Sequence, residues 1–290
     1  MPRAEPRPVT PHLLRSWPLP QPDGDGGKHA RGTVLVVGGA VSTPGAVLLA
    51  GLAALRVGAG KLKVATVAPT AVPLAVALPE AMVTGLPPDE AGSLGTACVD
   101  DLCSLAERAD AVLVGPGLLG REGTAALLEA LLPGLPEVPV VLDAVALGAL
   151  ARVPAAAEGL RGRLVLTPNA GEVAELLGGT DLEGVEAARA VAERYGAAVA
   201  AHGGVAAPDG RTWADEAGGP GLGTSGSGDV LAGVVAGLLA RGAEPAQAAV
   251  HGQHLHSTAG DRLSARTAPI GFLARELLDE LPGALASVRP

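Results

Sequence analysis

Short apolar stretches recur along the chain, and most of them are followed by glycine, proline or a polar residue. Their Val, Leu and Ala residues follow one another with little polar alternation. Strands that are apolar on both faces are typical of a parallel sheet covered by helices on each side. The pattern therefore predicts parallel strands at Thr33–Val37, Lys61–Val67, Ala111–Val114, Val138–Leu142 and Leu164–Leu166.

Longer apolar stretches predict helices. The first opens at Pro44 and closes near Gly60, which puts proline in the first turn and glycine at the far end, as helices prefer. Further helices are predicted at the end of the chain, at Asp229–Ala240, Pro245–Leu263 and Pro269–Leu281.

The segments outside this alternation complete the predicted architecture. Ala197–Ala201 and Val205–Ala207, followed by a Pro-Asp-Gly turn before Arg211–Ala214, predict a β-hairpin at the edge of the sheet. Residues 1–28 are rich in Pro, Gly and Asp, and we expect an irregular N-terminal arm there. Residues 29–290 contain neither a long linker nor a fixed-period repeat. We predict that they form one α/β domain with three α/β/α layers and a mostly parallel sheet.

Composition and charge exclude several classes of protein. Hydrophobic residues make up 48% of the chain and charged residues 18%, which excludes a disordered protein. The net charge of −9 and the scarcity of aromatic residues argue against a nucleic-acid partner. The apolar runs are shorter than the ~20 residues that span a bilayer, and we recognise no secretory signal. We therefore expect a cytoplasmic protein without a membrane partner, in which Cys98 and Cys103 are free, partly buried thiols.

Residues suited to ligand binding cluster where the predicted strands end. In an open parallel sheet, ligands bind beyond the carboxyl ends of the strands. One glycine-rich turn would need no ligand, but several at the same edge predict a binding site. The segments concerned are Gly38-Gly39, Gly115-Pro116-Gly117, Asp143, Thr167-Pro168-Asn169 and Gly226–Asp229.

The turn Gly226-Ser227-Gly228-Asp229, which precedes an apolar helix, is the strongest of these candidates. Small residues let the backbone approach an anion closely, and a helix directs its first N–H groups at it. Asp229 could serve only as a helix cap, but capping requires no preceding run of Gly and Ser. We predict that the turn handles phosphate and that Asp229 takes a proton from a substrate hydroxyl during phosphoryl transfer.

Two further motifs are less specific. Asn169-Ala170-Gly171-Glu172 fits a capping box, and it fits equally a Glu172 that orients magnesium-bound water near phosphate. His251, His254 and His256 lack the usual spacing and the third nearby ligand of a zinc site. We expect exposed or capping histidines at those positions.

Several segments, taken in order, resemble the ADP-dependent NAD(P)H-hydrate dehydratases, a branch of the ribokinase-like superfamily. The resemblance runs from about Lys28 to Leu281 and implies a ribokinase-like fold. It also implies repair of the hydrates of NADH and NADPH, in which ADP phosphorylates the ring hydroxyl. Elimination of phosphate then gives NAD(P)H, AMP and phosphate. The segments are Gly32–Gly60, Val112–Gly117, Leu142–Ala144, Leu166–Glu172 and Gly221–Gly242.

The resemblance implies roles for individual residues around the substrate. Asp229 would be the catalytic base and contact the hydrate. Ala46, Gly117 and Asn169 would border the hydrate, and Glu172 would lie near Mg²⁺ and phosphate. The resemblance also implies a homo-oligomer, since relatives often form tetramers.

On the nucleotide side, the chain departs from the family pattern. Members usually carry Lys-Gly-x-x-Thr before the hairpin, where it cradles the nucleotide phosphate. Here the lysine position falls on His202 when counted from Gly196, and on Val199 when counted back from Pro208. Without a lysine, the choice between ADP and ATP stays open. The resemblance then places the nucleotide against His202, Gly203, Gly204, Gly226, Ser227 and Gly228.

Two other functions compete with the dehydratase. A small-molecule kinase of the same superfamily, of the hydroxyethylthiazole or pyridoxal kinase type, would stop at the phosphorylated alcohol. A non-catalytic nucleotide-binding relative would account for the missing lysine. The Gly32–Gly60 segment favours the dehydratase over the kinases, and the intact Gly226–Asp229 turn argues against a protein without activity.

Overall fold

A ten-stranded sheet forms the centre of the computed structural model, which describes residues 5–21 and 27–289. The strand order is β1-β10-β9-β8-β7-β6-β5-β2-β3-β4. Neighbours from β4 to β8 are parallel, whereas β9 is antiparallel to β8 and to β10. The strands are β1 Arg7–Pro8, β2 Thr33–Val37, β3 Lys61–Val67, β4 Ala81–Leu86, β5 Ala111–Val114, β6 Val140–Leu142, β7 Leu164–Leu166, β8 Ala198–Ala201, β9 Gly204–Ala206 and β10 Thr212–Ala214.

Helices cover both faces of the sheet and enclose two separate apolar cores. Along β2, Val34 and Val36 join the core beneath α3, α10, α11 and α12, while Leu35 and Val37 join the opposite core. This confirms the predicted α/β class with three layers and a mostly parallel sheet. The helices are α1 Pro11–Ser16, α2 Gly27–Ala30, α3 Pro44–Arg56, α4 Ala68–Ala77, α5 Val99–Ala106, α6 Arg121–Leu131, α7 Val145–Leu150, α8 Ala170–Leu177, α9 Gly184–Tyr195, α10 Ser227–Ala240, α11 Pro245–Arg266 and α12 Ala274–Ser287.

The richness in glycine and alanine has a packing reason where α3 crosses α10. Any Cβ added to Gly233 would overlap the backbone of Ala50, and one added to Gly237 would crowd Ala54. The two helices therefore touch backbone to backbone, which larger side chains would prevent. This contact holds the middle of α10 beside α3.

The predicted bounds of β2, β3, β5 and β7 are confirmed, whereas the other predicted elements shift by one to six residues at one end or both. Strand β6 begins at Val140 rather than Val138, in keeping with the missing N–H of Pro139. The last helix begins at Ala274 rather than Pro269 and continues to Ser287. Within the described residues, no helix combines the length and the apolar character needed to cross a membrane.

The prediction of an irregular N-terminal arm is wrong for residues 5–21. Strand β1 pairs in parallel with β10, and α1 is capped by Thr10, whose Oγ1 accepts from the Leu13 amide at 3.1 Å. The cause is contact with distant parts of the chain. Trp17 stacks on Trp213 with ring centroids 5.7 Å apart, and Gln247 donates to the Trp17 carbonyl oxygen at 3.1 Å. Residues 1–4 and 22–26 of the predicted arm lie outside the described residues.

Candidate active site

The chain changes direction across the sheet between β2 and β5, which is where open α/β sheets bind ligands. The loops that follow these strands touch, since the Gly39 amide donates to the Pro116 carbonyl oxygen at 2.8 Å. The Thr43 hydroxyl donates to the Gly117 carbonyl oxygen at 2.7 Å. A Cβ on Gly117, whose φ is 68°, would lie 2.5 Å from the Thr43 carbonyl oxygen and 3.0 Å from the Ala46 Cβ. The crevice thus brings together Ala46 and Gly117, which we expected to border the substrate.

The first turn of α10 is open. The helix begins at Ser227 after Gly226, whose φ of 89° is left-handed, and no side chain caps it. Asp229 is the third helical residue and makes no capping bond, so the simple cap is not what the structure contains. Among the described residues, the amides of Gly228 and Asp229 have no hydrogen-bond partner. Gly228 is exposed, and the space where its Cβ would be is empty. An anion can therefore reach the backbone at this helix end.

The first turn of α8 is closed, because the capping box is present. Asn169 Oδ1 accepts from the Glu172 amide at 3.0 Å, and Glu172 Oε2 accepts from the Asn169 amide at 2.8 Å. The sequence fitted equally this cap and a Glu172 that orients magnesium-bound water. The cap is observed, and it holds one oxygen of the half-buried Glu172 carboxylate.

Burial raises the pKa values of three carboxyl groups at the site, and the charge of Asp143 adds to the rise at the other two. Asp143, which is 4% exposed at the end of β6, accepts from the Thr167 hydroxyl at 2.7 Å, and burial raises its pKa to about 6. Burial, and then the charge of Asp143, raise the pKa of Asp229 to about 7. The same two causes come first for Glu172, whose pKa also rises to about 7, with Glu175 and Asp229 contributing less. In the sequence, the only signal that marks Asp143 as a candidate site residue is its position at the end of a strand.

A cavity of about 580 Å³ lies between the β8–β9 turn, the loop after β10 and the first turns of α8 and α10. It brings together five of the predicted site residues. The predicted residues that do not line it are Ala46, Gly117, Glu172, Gly204, Gly226 and Asp229. Gly204 packs against the start of α9, where a Cβ would overlap the backbone of Gly184. Sequence reasoning missed the wall formed by residues 215–223 and by one face of α11. The predicted residues in the wall are Asn169, His202, Gly203, Ser227 and Gly228.

His202 occupies the tight turn between β8 and β9. Its φ is 44° and that of Gly203 is 78°, and two positive values are what a two-residue type I′ hairpin requires. His202 Nε2 accepts from the Ala170 amide at 3.0 Å. A nitrogen that accepts carries no proton, so in this geometry the ring does not supply the positive charge of a lysine.

The histidines of α11 are buried, so the expectation of exposed or capping histidines is wrong. The helix lies inside the fold, and each ring meets one polar group there. His251 Nε2 lies 3.0 Å from the Trp17 carbonyl oxygen, and His254 Nδ1 lies 3.1 Å from Asp215 Oδ1. His256 Nε2 lies 2.9 Å from Ser227 Oγ. Cys98 and Cys103 are free thiols, buried and half-buried, as predicted.

Comparisons with known proteins identify the family of this chain. A family model described as NAD(P)H-hydrate dehydratase matches residues 34–283. The chain is 46% identical to the ADP-dependent (S)-NAD(P)H-hydrate dehydratase of Xanthomonas campestris, over 96% of each chain. It is 38% identical to the bifunctional NAD(P)H-hydrate repair enzyme of Moorella thermoacetica and spans 54% of that longer protein.

A solved structure gives the same answer for the fold. The ADP/ATP-dependent NAD(P)H-hydrate dehydratase of Bacillus subtilis, co-crystallised with ATP and Mg²⁺, has a TM-score of 0.80 and is 27% identical to this chain. The match covers 98% of this chain and 99% of that one. The ribokinase-like fold is therefore confirmed, and the chain belongs to the NAD(P)H-hydrate dehydratase family.

Proposed function

We propose that this chain repairs the hydrates of NADH and NADPH by transferring a phosphoryl group from ADP to the ring hydroxyl, after which phosphate is eliminated. Membership of the family makes it a hydro-lyase with ADP as co-substrate. The observation that carries the proposed mechanism is Asp229 in the open first turn of α10. The neighbouring Gly228 lines the cavity, and the start of α10 packs against α3, which carries Ala46.

The chemistry explains why a kinase-like site would perform a dehydration. Hydroxide is a poor leaving group, whereas phosphate is a good one. The ring hydroxyl oxygen attacks the terminal phosphorus of ADP, and the bond to AMP breaks. Phosphate then leaves with the C–O electron pair, and a proton lost from the adjacent ring carbon restores the double bond. Asp229 would accept the hydroxyl proton, and a pKa of about 7 suits a base working near neutral pH.

The residues around Asp229 fit Mg²⁺ bound mainly through water and phosphate. In residues 5–21 and 27–289, no three His, Cys, Asp or Glu side chains are arranged to hold a metal by themselves. Mg²⁺ commonly takes one or two carboxylates and keeps several waters. Burial and the charge of Asp143 raise the pKa values of Glu172 and Asp229, and a cation would offset the negative charge that these carboxylates carry. When bound, Mg²⁺ would neutralise charge on the transferred phosphate, with Glu172 holding one of its waters.

The other residues expected at the site keep the roles that the resemblance implied. We propose that Ala46, Gly117 and Asn169 border the hydrate. Of the nucleotide residues, Gly226 would shape the anion hole, while His202 and Gly204 would act through the hairpin rather than as a charge. We also propose that the protein works in the cytoplasm as a homo-oligomer, possessing neither a nucleic-acid nor a membrane partner.

The deciding experiment incubates the protein with NADH hydrate, Mg²⁺ and either ADP or ATP, and follows the absorbance of reduced nicotinamide. We expect recovery with the natural chain and at least a roughly 1000-fold loss in Asp229→Asn, which removes the base. Asp209→Asn is the matched control, since Asp209 lies in an exposed turn with Arg211. It should keep full activity.

Each competing function predicts a different result in the same assay. Phosphorylation of the hydroxyl without recovery of absorbance would favour a small-molecule kinase. Nucleotide binding without turnover would favour a non-catalytic relative. Full activity in Asp229→Asn would contradict the assignment of the base. Thermal shift with ADP and with ATP separates the two nucleotides, because a ligand that binds the folded state raises the Tm.

A further inference from the structure

One face of α11 lies beneath the cavity and carries a polar contact that the mechanism above does not use. His256 is 6% exposed, and its Nε2 lies 2.9 Å from Oγ of Ser227, which is 4% exposed. Both residues line the cavity. Ser227 is the first residue of α10, directly before the open amides of Gly228 and Asp229. The contact therefore reaches the helix end that would bind phosphate.

The charge state of His256 limits what this contact can do. Burial lowers its pKa to about 4, against a smaller opposing effect of the hydrogen bond to Ser227. The ring is therefore neutral near pH 7 and carries one N–H group. If that hydrogen is on Nε2, it donates to Ser227 Oγ, and the serine hydrogen is free to turn toward the cavity. If Nε2 accepts instead, the serine hydrogen is used up and only lone pairs face the cavity.

A phosphate at the start of α10 distinguishes these two arrangements. Lone pairs on Ser227 Oγ would repel its oxygens, whereas a hydroxyl hydrogen would bond to one of them. We propose that His256 is a positioning residue that donates to Ser227 and directs the serine hydroxyl hydrogen toward the nucleotide phosphate. The hydroxyl then adds a donor to the amides of Gly228 and Asp229. The inference rests on the proposed function only in taking a nucleotide as the ligand of the cavity.

The same helix offers a matched control in His251. That residue is 1% exposed, burial also lowers its pKa to about 4, and its Nε2 also makes one hydrogen bond. Its partner is the Trp17 carbonyl oxygen, and it does not line the cavity. A purely structural role for buried histidines of α11 predicts the same consequences at both positions.

The test is a double-mutant cycle with His256→Leu, Ser227→Ala and the double variant. ADP affinity is measured by calorimetry, and kcat and KM are measured by recovery of NADH. We expect each single variant to lose roughly 10- to 100-fold in kcat/KM, as for a hydrogen bond to a charged group. The double variant should lose no more than either single one, because both changes remove the same donor. His256→Gln, which keeps an N–H donor, should recover most of the activity.

His251→Leu should lower the Tm and leave kcat/KM within about twofold, since it leaves the cavity untouched. Additive losses in the cycle, an unaffected Ser227→Ala, or a His256→Leu variant that loses only stability would each overturn the proposal. If His256→Leu does not fold, the cycle is run with His256→Phe, which also lacks an N–H donor, and the same criteria apply. Because calorimetry with ADP needs no hydrate, a chain that binds ADP without repairing hydrate would contradict the proposed function and still test His256.

Discussion

Two helices, α8 and α10, begin at the same cavity, and their first turns have opposite structures. Every helix leaves its first N–H groups without partners inside the helix. In α8, Asn169 accepts a hydrogen bond from the Glu172 amide and His202 accepts one from the Ala170 amide, at 3.0 Å each. In α10, a left-handed glycine stands where a capping side chain would be. Among the described residues, the protein leaves only the Gly171 amide without a partner in the first turn of α8, whereas two neighbouring amides lack partners in that of α10.

The contrast shows how far a motif can be interpreted alone. Asn169-x-x-Glu172 and Gly228-Asp229 both allowed a capping role and a functional one. The first motif does form a cap, and the second does not. A carboxylate in a first helical turn therefore does not indicate a cap unless its oxygen reaches a backbone amide.

Among changes that affect the two helix ends, the largest effect is expected from distorting the open end with Gly226→Ala. The residue has a φ of 89°, and its new Cβ would lie 2.6 Å from Cδ1 of Leu49. Left-handed strain costs about 1–2 kcal/mol, and relief of the clash would shift the amides that we propose bind phosphate. We expect at least a roughly 100-fold loss of kcat/KM together with a lower Tm. Gly178→Ala is the control, because Gly178 ends α8 with a φ of 78° and has nothing within 4 Å. Equal losses of activity in both variants would contradict the special role of the α10 turn.

A smaller effect is expected from opening the closed end with Asn169→Ala. Removal of an N-cap typically costs about 1 kcal/mol, which urea unfolding can measure. Asn169→Asp keeps an oxygen for the Glu172 amide and should restore the stability. If Asn169 also borders the hydrate, Asn169→Asp should still raise KM for the hydrate. An Asn169→Ala variant as stable as the natural chain would show that the cap contributes nothing.

The smallest effect concerns pH and the charge of Asp143. The base must be ionised, so kcat/KM of the free enzyme should rise with pH up to about 7, where the pKa of Asp229 lies. Asp143→Asn keeps an oxygen for Thr167 and removes the charge that is the second cause of the raised pKa. The acid limb of the pH–rate profile should therefore move down by less than about one pH unit. A limb that moves upward or stays in place would contradict the coupling of the two carboxylates.

The free energy of unfolding should also depend on the charge of Asp143, through the raised pKa of Asp229. A carboxyl group with a raised pKa binds its proton more tightly in the folded chain than in the unfolded one. The free energy of unfolding therefore falls as pH rises from about 4 to about 7, and it levels off above that. Asp143→Asn should make this fall shallower when unfolding is measured across that range.

The sequence by itself determined the elements whose signals are local. The bounds of β2, β3, β5 and β7 follow from apolar runs that end at turn residues, and the Gly226–Asp229 turn follows from its run of small residues. The strand ends that form the crevice, including Gly117, could be predicted from the sequence for the same reason. Backbone preferences and burial on both faces depend on residues that are close together in the chain, so the sequence alone reveals them.

Only the tertiary structure decided the features that depend on distant contacts. Residues 5–21 are ordered because Trp17 meets His251 and Trp213 far along the chain. Burial and then the charge of Asp143, which comes from another strand end, raise the pKa of Asp229, and Ser227 meets His256, 29 residues farther along the chain. Burial and hydrogen-bond partners are properties of the packed molecule. The sequence could therefore predict the Gly226–Asp229 turn, but only the fold could show that α8 begins with a capped turn and α10 with an uncapped one.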